Sequence, residues 1–381
     1  MDFTLSEEQV GLQSAVRDLI TTHTDLSVVR SVVDAPDSDG EPAGLWARIA
    51  DQGWPAVLIP EEQGGLGLGL LEAAVIARCL GAGVVPGPIT ASMIGGEAIR
   101  SAGSAEQQAT WLPGLAEGRF RFAVALLRPG AALDRPGDGV TAKDDLLTGE
   151  IGQVEYAHLA DRIVVAAEAA DATAATATAE RETGAGVGLW LVDPTAAGVT
   201  ITRTPTLDAT TRTSTLTLAG AEAERLPGGG QAVVADLVAR ATVLAANDLV
   251  GISREALTRT VDYLRTREQF GKPIGSFQAL KHHLADLLVA LTMAEHAGWY
   301  AAHALDAGLP DAAVAVSVAK AKASDVARLA TARMIQYHGG IGYTWEHETH
   351  FFFKRARRLE QTYGDAAQHR TRIADLTLDP A

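Results

Sequence analysis

Tyr263-Leu-Arg-Thr-Arg-Glu-Gln-Phe-Gly-Lys-Pro-Ile-Gly-Ser-Phe-Gln278 is the stretch on which the fold reading turns. It predicts the end of one long helix, a sharp turn around Gly271, Pro273 and Gly275, and the start of a second helix at Gln278. Arg267 supplies a planar cation with a fork of N–H donors, the shape that grips a pyrophosphate. Phe270 offers an aromatic face beside Gln269, and the glycines let backbone come close to a ligand. Upstream, residues 231–267 contain no proline, which allows about 55 Å of unbroken helix. Downstream, helical character runs from Ser276 to Ala307, from Pro310 to His338 and from Thr344 onward. Short loops between long amphipathic helices predict an antiparallel four-helix bundle over residues 227–381.

Toward the N-terminus the pattern changes twice. Residues 121–226 hold short extended runs with turn signals between them, expected as strands at 122–127, 146–149, 162–167, 188–192, 199–203 and 214–218. Segment 168–186 is rich in Ala and Thr and reads as a flexible hairpin tip. Residues 1–120 read as helices, beginning with the capping box Ser6-Glu-Glu-Gln9 ahead of Val10, Leu12, Val16, Leu19 and Ile20 at helical spacing. The expected architecture is α+β and multidomain: an N-terminal helical domain (1–120), a middle β-barrel-like domain (121–226) and a C-terminal four-helix bundle (227–381).

Bulk composition narrows the function classes. The chain has 381 residues, 47% of them hydrophobic and 21% charged, enough for several domains around a large core. Its formal net charge of −15 argues against nucleic acid as the main partner, because phosphate binding needs a basic surface. A lone cysteine, Cys79, leaves no internal disulfide and suits a reducing cytoplasm. The first residues show no basic-then-apolar signal pattern, and no apolar run reaches membrane-spanning length.

Gln336-Tyr-His-Gly339-Gly340-Ile-Gly342 places an amide side chain and three glycines in one tight segment. With Arg267, Gln269, Phe270 and Gln278, it resembles the flavin-binding signature of the acyl-CoA dehydrogenase family, and helical, β, helical is that family's domain order. The resemblance implies FAD as cofactor, with Arg267, Phe270 and Gln278 on its adenosine and pyrophosphate part. It further implies that Gln336, Gly339 and Gly340 meet FAD held mainly by a neighbouring protomer, so at least a dimer is expected. His338, His282-His283 and His347-x-x-His350 lack zinc-like spacing, and no metal site is expected. The aromatic-then-basic run from Thr344 to Arg358 reads as a packed helix with a solvated face, or as a contact with a partner subunit or a CoA phosphate.

The catalytic centre departs from the family pattern. These enzymes remove the proton alpha to a thioester while flavin takes hydride from the beta carbon, and the base is a carboxylate poised within reach. Usually it is the Glu of a Tyr-Glu-Gly-Thr turn; the corresponding stretch here is Thr362-Tyr-Gly-Asp365, with Tyr363 at the base position. A phenol of pKa about 10 is a poor base at neutral pH. The alternative family position on the long helix falls at Ala241. Asp248 remains as the candidate base, since Asn247 and Asp248 interrupt an apolar run beside Gly251, and a buried carboxylate needs a partner or a function. The plainer alternative is an Asp on the exposed face, or one paired to Arg254 or a neighbouring helix. In the β region, Leu127-Arg-Pro-Gly130 and Val154-Glu-Tyr-Ala157 stand where relatives carry hydroxyl donors near flavin and CoA.

The phrases around Phe270–Gly275 and His338–Glu346 look most like actinobacterial-type enzymes acting on bulky acyl-CoAs, including steroid side-chain thioesters. Three functions follow from the resemblance. One is an FAD-dependent acyl-CoA dehydrogenase passing electrons to an electron-transferring flavoprotein, as a homo-oligomer or a heterotetramer. Another is an FAD-holding, non-catalytic partner of a related chain, and the third an acyl-CoA oxidase or flavin monooxygenase relative.

Overall fold

The computed structural model describes residues 4–133, 135–169 and 186–378. Helices α1 (Glu7–His23), α2 (Leu26–Val33), α3 (Leu45–Asp51), α4 (Leu70–Ala82), α5 (Ile89–Ala102) and α6 (Ala105–Ala116) come first. The expected capping box opens α1: the Gln9 N–H donates to Ser6 Oγ at 3.2 Å, and the Ser6 N–H to Gln9 Oε1 at 2.9 Å. Helices α4 and α5 are apolar almost all round, because both are buried between other elements.

Strands β1 (Phe122–Ala125), β2 (Val140–Lys143), β3 (Leu146–Glu155), β4 (Arg162–Ala169), β5 (Val187–Val192), β6 (Val199–Thr204) and β7 (Thr213–Leu226) follow. β4 pairs with β2, β2 with β3, β3 with β7, β7 with β5, and β5 returns to β4, which closes a ring. β1 lies parallel to β4, and β6 antiparallel to β7. Leu147, Ile151, Ile163, Val165, Trp190 and Leu216 belong to this region's own core cluster. Closure satisfies the backbone groups that open edges leave unpaired.

The barrel differs from the sequence expectation in two places among the described residues. β2 was not expected; it turns into β3 through Asp144 and Asp145, both at positive φ (50° and 59°), a two-residue turn of the kind Asp tolerates. β3 and β7 run longer than their apolar cores because two register shifts in their pairing let the strands bend. Of the expected hairpin tip, residues 170–185 lie outside the described residues.

The C-terminal helices are α7 (Gln231–Thr266), α8 (Gln278–Asp306), α9 (Ala312–His338), α10 (Thr349–Leu359) and α11 (Ala366–Leu378). Between α7 and α8, β8 (Glu268–Gln269) and β9 (Lys272–Pro273) form a small hairpin with Phe270 and Gly271 at its tip. The helix expected from Thr344 onward is two helices, broken at a turn where Tyr363 and Gly364 take positive φ (56° and 91°). α4 crosses α7 backbone to backbone: a Cβ on Gly251 would lie 1.9 Å from the Arg78 carbonyl oxygen, and one on Gly81 2.1 Å from that of Asp248. That crossing sets where Asp248 sits.

Candidate active site

A cleft forms where α4, α5, the barrel, α7 and the α10–α11 turn meet. Leu80, Ile89 and Ile94 give it an apolar side; Glu155, Asp248, Arg355, Arg358 and Tyr363 give it a polar one. Ala241 and Tyr363, the two positions where the family carries its base, both line this cleft, as does Gly364. Aligning the turn on its tyrosine rather than its glycine puts Gly364 at the base position; either register leaves the turn without a carboxylate there.

Asp248 lines the cleft and is paired. Its Oδ2 accepts from Arg355 Nη2 at 2.6 Å and its Oδ1 from Arg355 Nε at 3.2 Å, and its side chain is 6% exposed. Burial raises the Asp248 carboxyl above the usual carboxylate range, and the Arg355 guanidinium opposes that rise. Arg355 also donates to the Val85 carbonyl at 2.9 Å. Asn247, next in the chain, turns to the other side of α7, where its Oδ1 accepts from Arg78 at 2.9 Å. The polar pair that interrupts an apolar helix therefore receives two arginines from two different elements. Arg254, the partner considered from sequence, pairs with Glu295 instead.

Glu155 and Arg358 were not singled out by sequence as site residues. Arg358 donates through Nε to the fully buried Asp208 at 2.8 Å, and through Nη1 to Glu155 Oε1. Burial raises the Asp208 carboxyl, but the guanidinia of Arg358 and Arg355 outweigh it and hold that group below its usual value. Glu155, 26% exposed, ends β3 in the Val154–Ala157 stretch noted for its missing hydroxyls. Arginines expected on a solvated face thus point inward, because the buried carboxylates Asp208 and Asp248 and the half-buried Glu155 await them there.

The turn carrying Tyr363 is held through its carbonyls. Lys320 of α9, fully buried, donates to the Gly364 oxygen at 2.7 Å and the Glu360 oxygen at 3.1 Å. Burial pushes the Lys320 ammonium down to about 7. His369 Nε2 lies 3.0 Å from the Tyr363 carbonyl oxygen. Neither residue is legible from sequence: Lys320 stands in an Ala-rich helix where buried and solvated lysines look alike.

The expected cofactor residues gather elsewhere. Phe270 is 90% exposed at the hairpin tip, edge-on to Phe277 at 6.0 Å. Arg267 caps α7 and is exposed, with no carboxylate partner among the described residues; Gln269 and Gln278 are exposed beside it. Gln336, Gly339 and Gly340 are exposed at the end of α9, and nothing lies within 4 Å of where a Cβ on either glycine would point. Contacts between Tyr263 and His338 and between His283 and Tyr337 bring both groups to the same end of the helical bundle. His338 stacks on Tyr263 with centroids 4.4 Å apart, and His283 Nδ1 lies 2.9 Å from the Tyr337 hydroxyl. A free guanidinium, a bare phenyl ring and backbone stripped of side chains fit an anionic, planar ligand such as FAD. This corner lies about 28 Å along the α7 axis from Asp248.

A family model described as acyl-CoA dehydrogenase, N-terminal domain, matches residues 6–119, and one described as acyl-CoA dehydrogenase, C-terminal domain, matches residues 228–378. Acyl-CoA dehydrogenase IpdE2 of Mycobacterium tuberculosis is 34% identical over 93% of this chain and 92% of its own length. Among solved structures, a variant of the Tcur3481-Tcur3483 steroid ACAD superposes with a TM-score of 0.87 at 31% identity, covering 99% of each chain. The ChsE4-ChsE5 complex from Mycobacterium tuberculosis superposes with a TM-score of 0.88 at 26% identity over 100% of each chain.

Proposed function

This chain belongs to the acyl-CoA dehydrogenase family, and from that membership we propose that it takes part in forming an alpha,beta double bond in a bulky acyl-CoA thioester, with FAD as cofactor. The observation that carries the cofactor reading is the corner at Arg267, Gln269, Phe270, Gln278, Gln336, Gly339 and Gly340. A phenyl ring held open to solvent in left-handed backbone is costly unless a ligand or second chain covers it. FAD, when bound, would supply the two-electron acceptor for the hydride that leaves the beta carbon. The alpha proton must go to a base, and the chain's own candidate is Asp248. The distance along α7 from this corner to the cleft supports an assembly in which one chain's corner faces another chain's cleft. The steroid neighbour supports a bulky acyl group, and an electron-transferring flavoprotein is the proposed acceptor.

A second reading has its own observation. Both cleft carboxylates described above, Asp248 and Glu155, are held by arginines, and both family base positions are empty of acid. In that reading this chain holds FAD while a related chain supplies the base, as part of a mixed tetramer; the two-chain complex among its structural neighbours supports it. Anaerobic addition of acyl-CoA to the purified single chain separates the two. Bleaching of the flavin is expected if Asp248 serves as base; bleaching only after a companion chain is added assigns the base to that chain. A protein that stays colourless with flavin and every companion chain contradicts both.

A further inference from the structure

Two hydrogen-bond donors in the cleft have no work within the protein. Arg358 commits Nε to Asp208 and Nη1 to Glu155, and its Nη2 has no partner among the described residues, although the side chain is only 10% exposed. The Tyr363 phenol likewise has no partner among the described residues, and both side chains line the same cleft. Burial raises the phenol, so it stays protonated and can only act as a neutral donor or acceptor. Both groups are held in place. Arg358 is fixed by two carboxylates, and the Tyr363 turn by Lys320 on the Glu360 and Gly364 carbonyls and His369 on the Tyr363 carbonyl. Both donors open onto the water of the cleft, and because both side chains are already held in place, a ligand acceptor that replaces that water costs little side-chain freedom.

We propose that Arg358 and Tyr363 form a two-donor subsite for a neutral carbonyl oxygen of the acyl-CoA. The charge around them selects neutrality: Asp208, Glu155 and Asp248 outnumber Arg355 and Arg358, so an anionic carboxylate gains nothing there. The oxygen belongs either to the thioester itself or to an oxo group on the acyl portion. This subsite rests on the acyl-CoA reading above.

The test is calorimetric binding to the flavin-loaded protein in its native assembly. Three probes are compared: cyclohexaneacetyl-CoA, its ring-oxo derivatives, and the thioether in which a methylene replaces the thioester carbonyl. Loss of one carbonyl is expected to weaken binding about tenfold, and Tyr363→Phe to reduce that penalty to less than about threefold. Because the phenol has no protein partner, Tyr363→Phe should unfold at the wild-type denaturant concentration. A penalty on the thioether assigns the oxygen to the thioester; a preference for an oxo derivative assigns it to the acyl group. Equal binding of all probes, or a penalty unchanged in Tyr363→Phe, overturns the subsite alone. Binding of none of them overturns the acyl-CoA reading and the subsite together.

Discussion

Asp248 poses the question of one residue with two jobs. A carboxylate gripped on both oxygens by Arg355 is a structural ion pair, yet it is also one of the acids lining the cleft. Asp248→Asn leaves Arg355 buried and charged without its counter-ion, which should cost about 3–5 kcal/mol in denaturant unfolding. The double variant Asp248→Asn/Arg355→Gln replaces the ion pair with two neutral amides and should recover much of that loss. If Asp248 is the base, the double variant regains stability but not flavin reduction by acyl-CoA. If both return, Asp248 is there for the fold. The residue was visible in sequence as a polar break in an apolar helix. Its partner was not, because Arg355 lies 107 positions away and only packing joins them.

Among elements, α7 does most to arrange the cleft, and its glycine is where it meets α4. Gly251→Ala puts a methyl group against backbone, not against a side chain that can swing away. The variant should lose about 3 kcal/mol in denaturant unfolding, and its acyl-CoA affinity should fall as α4 and Asp248 move apart. Wild-type stability would contradict the close crossing. Long helices such as α7 and α9 were legible because their apolar periodicity persists over many turns. β2 was not, since four residues beside an Asp-Asp turn carry too little pattern to stand out. The turn between α10 and α11 was legible only through the family resemblance; the left-handed backbone of Tyr363 and the hold of Lys320 and His369 on the carbonyls around it were not.

For the whole molecule, the separation between corner and cleft makes assembly part of the proposed chemistry. Removing the corner should therefore empty the cofactor site without unfolding the chain. Arg267→Ala combined with Phe270→Ala should elute at the wild-type mass on gel filtration and lose most of its flavin absorbance. Both side chains are exposed, so little of the fold depends on them. Full flavin retention counts against the corner, and a wild-type monomer carrying one flavin counts against sharing between chains. Among the described residues, no helix is long and apolar enough to cross a membrane, and no three His, Cys, Asp or Glu side chains gather as a metal site.

Local order in the chain was enough to determine the family and the helix–barrel–helix succession, and to nominate the residues of the proposed cofactor corner. Each depends on neighbours a few positions apart, where periodicity, glycine spacing and turn chemistry act. Tertiary structure alone decided which charges face the cleft and which lie buried behind it. Arg355, Arg358, Glu155, Asp208 and Lys320 come from four different stretches of chain, and whether each is buried or solvated depends on what packs over it. Burial is what turns an ordinary arginine or lysine into an electrostatic element of the site, and burial is a property of the folded chain as a whole.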